Sequence, residues 1–247
     1  MKKNFLIGVI LFFAIWWVVA AVHLLDAFFL PGPIEVLIEL FTLLANGSLN
    51  LDIYVTITRV GLAFLIATLI GVPLGLLLGA STKVYESFEF IIDFFRSLPA
   101  TAIFPLFLLV FGIDDSSKIA VAAFGASLVI IFNTAKGVMN SKQSRHIAAK
   151  LMGASKLQIF KNITFWESLP QTFVGIRTSV SLALIVIIVT EMFIGTYAGL
   201  GRRIIDFQYI YNIKGLFAVI LLTGIIGYAI NMAIVLIEKK VIHWNGK

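Results

Sequence analysis

Residues 141–170 read SKQSRHIAAKLMGASKLQIFKNITFWESLP and separate two apolar stretches, residues 119–137 and 172–195. The segment carries Lys or Arg at short intervals along most of its length, so it is too polar for the hydrocarbon core of a bilayer. The apolar stretches on either side are long enough to cross one. The sequence therefore predicts two membrane spans joined by a basic loop outside the membrane.

The basic loop has local signals for two short helices. Residues 148–152 favour the first, and Gly153 is expected to end it or bend the chain. Ser155 is a favoured N-cap for a second helix through about residue 161. Pro170 is expected to begin the next span, where its missing N–H costs little. Such a unit fits the groove of a partner protein, and it fits equally well an interfacial helix pair resting on lipid headgroups.

Composition extends the membrane prediction to the whole chain. Hydrophobic residues make up 60% of the 247 residues and charged residues 13%, against roughly a quarter charged in a soluble domain. We predict an all-α integral membrane protein with one transmembrane domain, residues 1–247. Its six spans are predicted at residues 5–22, 55–80, 98–111, 119–137, 172–195 and 216–237. The first run follows a basic start and also resembles a secretory signal, but its length favours a retained span.

Two further segments have a predicted role in packing. Residues 34–45 repeat apolar side chains at helical spacing and predict a short amphipathic helix on the membrane surface. Gly71, Gly75 and Gly79 recur every four residues in the second span. Small residues at this spacing let helices approach closely in lipid.

The distribution of basic residues predicts the orientation. With both termini in the cytoplasm, six spans place thirteen Lys or Arg inside and four outside, as the positive-inside rule requires. The inside set is Lys2, Lys3, Lys83, Arg96, Lys136, Lys142, Arg145, Lys150, Lys156, Lys161, Lys239, Lys240 and Lys247; the outside set is Lys118, Arg202, Arg203 and Lys214. Residues 141–170 are therefore expected on the cytoplasmic side. We attribute the net charge of +6 to this asymmetry and expect lipid contact but no nucleic-acid partner.

Several kinds of chemistry are disfavoured. The chain has no Cys, and its three His are far apart in the sequence, so we expect no metal site and no catalytic residues. A membrane enzyme or electron-transfer subunit would need paired His, clustered acids or a nucleophile within the spans. The sequence contains no G-x-x-x-x-G-K-[ST] phosphate-binding loop, so it is not expected to hold ATP itself.

Charged and polar residues within spans are candidates for a translocation pathway, because burying them in lipid is costly. Positions 177, 181, 184, 188, 191 and 195 step by four and three, which places them along one helix face. Glu191 is either a pathway residue or a structural partner for Arg59. Polar residues in spans also often hydrogen-bond between helices. The candidate pathway residues are Arg59, Asn133, Arg177, Ser181 and Glu191.

The sequence resembles a known family at several ordered motifs. Ala148-Ala149, Gly153 and Leu169-Pro170 resemble the "EAA" coupling loop of binding-protein-dependent ABC transporter permeases. The nitrate/sulfonate/taurine/bicarbonate branch is similar over roughly residues 30 to 240. The motifs of that branch are Thr58-Arg59-Val60, Gly71 to Gly75, Leu98-Pro99 through Pro105, Phe111-Gly112-Ile113, Phe132-Asn133-Thr134 and Thr190-Glu191-Met192.

The resemblance implies a type I ABC importer permease fold with cytoplasmic coupling helices, in a bacterial inner membrane. It implies a second permease copy as partner, as a homodimer or with a similar chain, two ATPase subunits that bind Mg-ATP, and an extracytoplasmic substrate-binding protein. This chain itself would carry no cofactor. The ATPase-coupling residues implied by the motif are Ala148, Ala149, Met152, Gly153, Ala154, Ser155, Leu157 and Phe160.

The chain departs from the family pattern at two positions. Ile147 stands where the family has Glu, six residues before Gly153, which removes a charge near the expected ATPase contact. Trp166 replaces a Pro frequent in the branch, so Leu169-Pro170 is expected to be the only break before the fifth span.

Substrate and class alternatives remain open at this point. The resemblance implies a small, anionic solute such as nitrate, a sulfonate, taurine or bicarbonate, and Arg59 is positioned to attract an anion. A pyrimidine-type vitamin precursor is an alternative cargo. The transmembrane subunit of a vitamin-type importer lacks the Gly153 and Leu169-Pro170 arrangement, and a passive channel would need no coupling loop.

Overall fold

The computed structural model of the chain describes residues 4–22, 28–193 and 195–242. All regular structure in these residues is helical. The helices are α1 (Asn4–Ala21), α2 (Pro33–Ala45), α3 (Asn50–Gly79), α4 (Thr82–Ser97), α5 (Phe104–Phe111), α6 (Asp115–Met139), α7 (Gln143–Leu151), α8 (Lys156–Ile159), a π-helix (Phe160–Thr164), α9 (Phe165–Glu191), α10 (Leu200–Tyr209) and α11 (Ile213–Val241).

Contacts between residues group the chain into two compact units. The first comprises Met1–Thr56 and Glu191–Ile226, and the second comprises Ile57–Thr190 and Gly227–Lys247. The boundaries fall within α3, α11 and the end of α9, so both units draw on the same long helices. The assignment of residues 1–247 to one transmembrane domain stays a prediction.

Four helices in the described residues are long and apolar enough to cross a membrane. They are Asn50–Gly79, Asp115–Met139, Lys156–Glu191 and Ile213–Val241. They overlap the predicted spans at residues 55–80, 119–137, 172–195 and 216–237, and each begins three or more residues earlier than predicted. The first predicted span corresponds to α1. The apolar part of this helix, Leu6–Ala21, is shorter than the four helices above. The count of six spans stays a prediction.

The predicted span at residues 98–111 is not one helix. Leu98 ends α4 in an extended conformation, and residues 100–103 form turns before α5 begins at Phe104. Leu98 precedes Pro99, and the residue before a proline is biased away from the helical conformation. Pro105 lies in the first turn of α5, where a proline is tolerated. The eight residues of α5 extend about 12 Å, which is too short to cross a bilayer alone.

The amphipathic helix predicted at residues 34–45 is α2. Its buried face carries Val36, Leu40 and Leu43. The predicted apolar stripe lies on the other side, where Ile38 is 62% exposed and Phe41 is 74% exposed. An exposed apolar stripe with Glu35 and Glu39 beside it suits a helix at a lipid surface.

Helices α3, α6 and α9 pack in close contact through glycines in the second unit. A Cβ atom placed on Gly75 of α3 would lie 2.6 Å from the Thr134 Cβ of α6. A Cβ atom placed on Gly79 would lie 2.7 Å from the Ala135 carbonyl oxygen, and one placed on Gly137 would lie 2.8 Å from the Ser168 carbonyl oxygen. Real Cβ atoms do not approach other heavy atoms this closely, so only glycine fits. The predicted close approach at the Gly71, Gly75 and Gly79 stripe is thus confirmed, and α6 is the helix that meets it.

Candidate functional site

The coupling segment, residues 141–170, begins with α7 and a tight turn. Helix α7 ends at Leu151, and Gly153 follows with a φ of 83°. Residues other than glycine adopt this left-handed conformation at a cost of about 1–2 kcal/mol. The prediction that Gly153 ends the first helix is therefore confirmed.

Ser155 begins the second helix with a reciprocal pair of hydrogen bonds. The Gln158 backbone N–H donates to the Ser155 hydroxyl at 3.3 Å, and the Ser155 N–H donates to the Gln158 side-chain oxygen at 2.8 Å. This capping box confirms the predicted N-cap. The local sequence of the hairpin was sufficient to predict both ends of the turn.

The second helix does not stop where the sequence predicted. Helix α8, the π-helix and α9 form one continuous helix from Lys156 to Glu191. Pro170 lies inside α9 and does not begin a span, so the prediction of a break at Leu169-Pro170 is wrong. The wider π turn at Phe160–Thr164 precedes this proline within the continuous helix. Such turns are rare in proteins overall, and those that occur are often at functional sites.

The outer surface of the hairpin is apolar and exposed. Leu151, Met152 and Leu157 are 85%, 87% and 75% exposed. Ala148, Gly153 and Ser155 are also exposed, whereas Ala149, Ala154 and Phe160 are partly buried. The structure thus brings the eight predicted coupling residues into one hairpin, and four of the seven that have side chains are exposed.

The inner side of α7 is tied to the start of α9. The Lys142 backbone N–H donates to the Glu167 carboxylate at 2.7 Å, and the Arg145 guanidinium pairs with the same carboxylate. The hydroxyl oxygens of Ser141 and Thr164 each lie 3.2 Å from His146 Nε2. Glu167 and His146 anchor the hairpin, and neither residue was predicted to do so from the sequence.

Asn133 and Arg177 make polar contacts within the second unit. The Asn133 side chain donates to the Val129 carbonyl at 2.8 Å and accepts from the Gln171 amide at 3.0 Å. Arg177 lies 3.7 Å from the Glu238 carboxylate. Ser181 is exposed on α9. The predicted helix face on α9 is therefore mixed, since Leu184, one turn further, is buried.

Arg59 is almost completely buried and forms an ion pair with Asp115. The Arg59 guanidinium donates to the Asp115 carboxylate at 2.6 Å, and the Arg59 side chain is 1% exposed. Lys118 lies 3.9 Å from the same carboxylate. Asp115 was not predicted as a partner because it lies in the first turn of α6, ahead of the predicted span at residues 119–137.

Glu191 belongs to a buried polar cluster in the first unit. Its carboxylate accepts from the Thr56 hydroxyl at 2.9 Å and from the Gly201 N–H at 2.9 Å. Thr56 Oγ1 also accepts from the Leu200 N–H at 2.9 Å. The side chains of Thr56 and Glu191 are both fully buried.

Asp52 completes this cluster at the first turn of α10. It accepts from the Gly199 N–H at 2.9 Å and pairs with Arg203 at 2.7 Å. Glu191, Thr56 and Asp52 together receive the N–H groups of three successive residues, which stabilises the start of α10. Asp52 and Thr56 lie more than 130 residues from Glu191, so sequence spacing could not have found this cluster.

The carboxylates and imidazoles of the described residues do not converge on a metal site. No three of the His, Asp or Glu side chains in the described ranges are placed to hold a metal ion. The functional elements are an apolar hairpin and buried polar contacts between long apolar helices.

Comparison with known proteins identifies the class as the permease subunit of an ABC importer. The chain belongs to the family described as "binding-protein-dependent transport system inner membrane component", whose profile matches residues 71–243. It is therefore a multi-pass membrane protein that acts in transport.

The curated relatives align over nearly the whole chain. A probable ABC transporter permease protein of Brucella abortus (strain 2308) is 30% identical over 93% of this chain and 90% of its own. The putative aliphatic sulfonates transport permease protein SsuC of Bacillus subtilis is 29% identical, covering 94% of this chain and 84% of its own. The taurine transport system permease protein TauC of Escherichia coli is 27% identical, and the alignment covers 94% of this chain and 86% of TauC. These relatives confirm the predicted branch.

A solved structure confirms the fold. The inward-facing MetNI methionine ABC transporter contains a chain that superposes with a TM-score of 0.68 at 22% identity. The superposition covers 78% of this chain and 95% of that chain. The predicted type I permease fold is thus shown.

Proposed function

We propose that this permease couples ATP hydrolysis by a partner to the import of a small anionic solute. The observation that carries the proposal is the exposed apolar hairpin at the end of a continuous 36-residue helix, Lys156–Glu191. Such a helix is about 54 Å long. The hairpin and the span therefore belong to one continuous helix, so a displacement of the hairpin acts directly on the span.

The docking partner is an ABC ATPase that binds Mg-ATP. Leu151, Met152 and Leu157 present apolar side chains beside a basic face, and a hydrophobic cleft is the partner surface that such side chains recognise. The family name implies a binding protein on the opposite side. Both termini of this chain are then cytoplasmic, in a bacterial inner membrane, as the basic-residue asymmetry requires.

Copurification tests the docking partner. We expect a tagged chain, co-expressed with a cognate ABC ATPase, to retain that ATPase through purification. Leu151→Asp with Met152→Asp should release the ATPase, whereas Ser144→Ala on the same helix should retain it. A chain that always emerges alone contradicts the proposal.

The translocation passage is proposed to lie along the exposed face of α9 in a homodimer. Thr178, Ser181 and Ile185 are exposed at helical spacing on this helix in the single chain. A second copy is needed to enclose such a face. We keep Arg59, Asn133, Arg177, Ser181 and Glu191 as proposed pathway residues, with Ser181 as the position most open to solute.

The absence of Cys from the sequence makes this passage testable by labelling. Ser181→Cys in the assembled transporter should react with a water-soluble thiol reagent, and bound solute should slow the reaction. Leu184→Cys, one turn away and 8% exposed, is the matched control and should stay unreactive. Equal labelling of the two positions would remove Ser181 from the passage.

The solute is proposed to be a sulfonate, taurine, nitrate or bicarbonate. Relatives are named for aliphatic sulfonates, taurine and nitrate, which are small and mostly anionic. A thermal-shift screen of the cognate binding protein against these compounds, with a pyrimidine as the alternative, tests the assignment. Stabilisation by the pyrimidine alone would overturn it.

A further inference from the structure

A cavity of about 540 Å³ lies behind the coupling hairpin, on the side away from the exposed apolar surface. Its walls come from the ends of α3 and α6, from the start of α4, from one face of α7, and from α8 with the π-helix. The polar side chains that line it are Thr82, Ser141, Gln143, His146, Lys150, Lys156 and Thr164. All of these belong to the second unit of the chain.

The charged side chains that line this cavity are all positive. Lys150 and Lys156 line it, and no Asp or Glu does so among the described residues. Neither lysine has an ion-pair partner within the described ranges. The nearby carboxylate of Glu167 is already engaged by Lys142 and Arg145 outside the cavity. The cavity therefore offers two ammonium groups that are balanced by no carboxylate in its lining.

The remaining lining groups can supply hydrogen bonds to an anion. Thr164 is 6% exposed and its hydroxyl, like that of Ser141, is held beside His146. Gln143 adds an amide at the edge. Two ammonium groups with hydroxyl and amide donors match the oxygens of a phosphate group, which accepts several charge-assisted hydrogen bonds at once.

We propose that this cavity binds a phosphate-type oxyanion, either the headgroup phosphate of an anionic phospholipid or soluble phosphate. Lys150 lies on α7 and Lys156 on α8, so the two lysines flank the turn at Gly153. An anion that contacts both lysines joins α7 to α8 across this turn. The bound anion thereby fixes the angle at which the apolar hairpin is presented.

Two binding measurements on the purified full-length chain distinguish the sources. Native mass spectrometry reports the retention of phosphatidylglycerol against phosphatidylcholine. Thermal shift reports stabilisation by inorganic phosphate against chloride at equal ionic strength. We expect one of these anions to bind the unmodified chain, and we expect its binding to weaken as salt rises.

The variants test whether the cavity is responsible. Lys150→Gln with Lys156→Gln should weaken binding about thirtyfold, since each lysine near a phosphate contributes about 1 kcal/mol. Lys161→Gln removes an exposed lysine that does not line the cavity and should bind as the unmodified chain does. Ile147→Glu keeps both lysines and adds a carboxylate to the lining at a position that is 53% exposed, so it should fold normally and bind weakly.

The outcomes assign the source or reject the site. Selective loss of phosphatidylglycerol in the cavity variants assigns a lipid headgroup, and selective loss of the phosphate-induced shift assigns a soluble anion. Equal binding by Lys161→Gln, Ile147→Glu and the double variant overturns the proposal. Failure of both anions to bind the unmodified chain also overturns it.

Discussion

The glycines of the helix core and the glycine of the coupling hairpin are used for opposite physical reasons. A Cβ atom on Gly75 or Gly79 would collide with α6 at less than 2.8 Å, in a backbone conformation that any residue adopts. A Cβ atom on Gly153 would have no heavy atom within 4 Å, but the backbone has a φ of 83°. The core glycines are required for space and Gly153 is required for conformation.

The two regions also differ in burial. More than half of the residues of α6 are buried, whereas α7 has no buried residue. A tightly packed helix resists deformation, and an exposed one is available to a partner. The molecule therefore combines closely packed helices with an exposed hairpin that is held at a few polar anchors.

The largest expected effect is on the space-limited glycines. Gly75→Leu introduces a side chain where Thr134 and the Ile131 carbonyl already lie within 3 Å of its Cβ. Overpacking of this kind costs about 1–3 kcal/mol or more. We expect most of the monodisperse protein to be lost in size-exclusion chromatography in detergent.

Gly61→Leu is the matched control for this variant. Gly61 lies in the same helix, and a Cβ there has no neighbour within 4 Å. Its yield should equal that of the unmodified chain. Equal loss in both variants would show that the length of the side chain, and not the contact with α6, is responsible.

The next largest effect is expected at Gly153, where the backbone conformation and not the available space requires glycine. Gly153→Val forces a β-branched residue into a left-handed conformation at a cost of about 1–2 kcal/mol, so we expect α7 to be displaced. Solute uptake and ATPase retention should be abolished while membrane insertion is unchanged. Gly153→Asn, which tolerates this conformation better, should retain part of both activities. Normal uptake by the valine variant would refute the docking role of the turn.

A smaller effect is expected when one anchor of the hairpin is removed. Glu167→Gln weakens the hydrogen bond from the Lys142 backbone N–H and removes the ion pair with Arg145, which is largely exposed and contributes about 1 kcal/mol or less. Hydrogen–deuterium exchange over residues 143–151 should become faster. Glu86→Gln, at an exposed position of α4, should leave it unchanged. Unchanged exchange in both variants would mean that the hairpin is held by other contacts.

The smallest effect is expected at the cap of α8. Ser155→Ala removes one half of the capping box and should destabilise the start of this helix by about 1 kcal/mol. Exchange should rise only at residues 156–159, with ATPase retention reduced by less than in the Gly153 variant. If instead Ser155→Ala abolishes retention, the hydroxyl contacts the ATPase directly.

Local signals explain what the sequence could predict. Gly153 and Ser155 act through their own backbone and the next few residues, so both ends of the hairpin turn were predictable. Apolar runs located four long helices for the same reason. Pro170 was misread because the helix predicted to begin after Ser155 was expected to end near residue 161, and nothing in the adjacent residues shows that it continues into the span. Pro99 was noted, but its effect in dividing residues 98–111 was underestimated.

Contacts between distant residues account for what the sequence could not predict. Glu191 was singled out as a deeply placed acid, but its contacts with Thr56 and the Gly201 N–H join residues far apart in the chain. The same holds for Arg59 with Asp115 and for Lys142 with Glu167. A candidate residue can be named from its chemistry, but its partner depends on how the helices pack.

The π-helix at Phe160–Thr164 has a consequence for insertions and deletions. Each residue of an α-helix turns the chain by about 100°, so a single deletion within α9 would rotate the hairpin by that angle relative to the span. A π turn holds one more residue than an α turn. Removing one residue between positions 160 and 164 would therefore convert it to regular α-helix and leave the angular phase of the hairpin nearly unchanged. This short stretch is the place in the continuous helix where evolution can change chain length without turning the docking surface away from its partner.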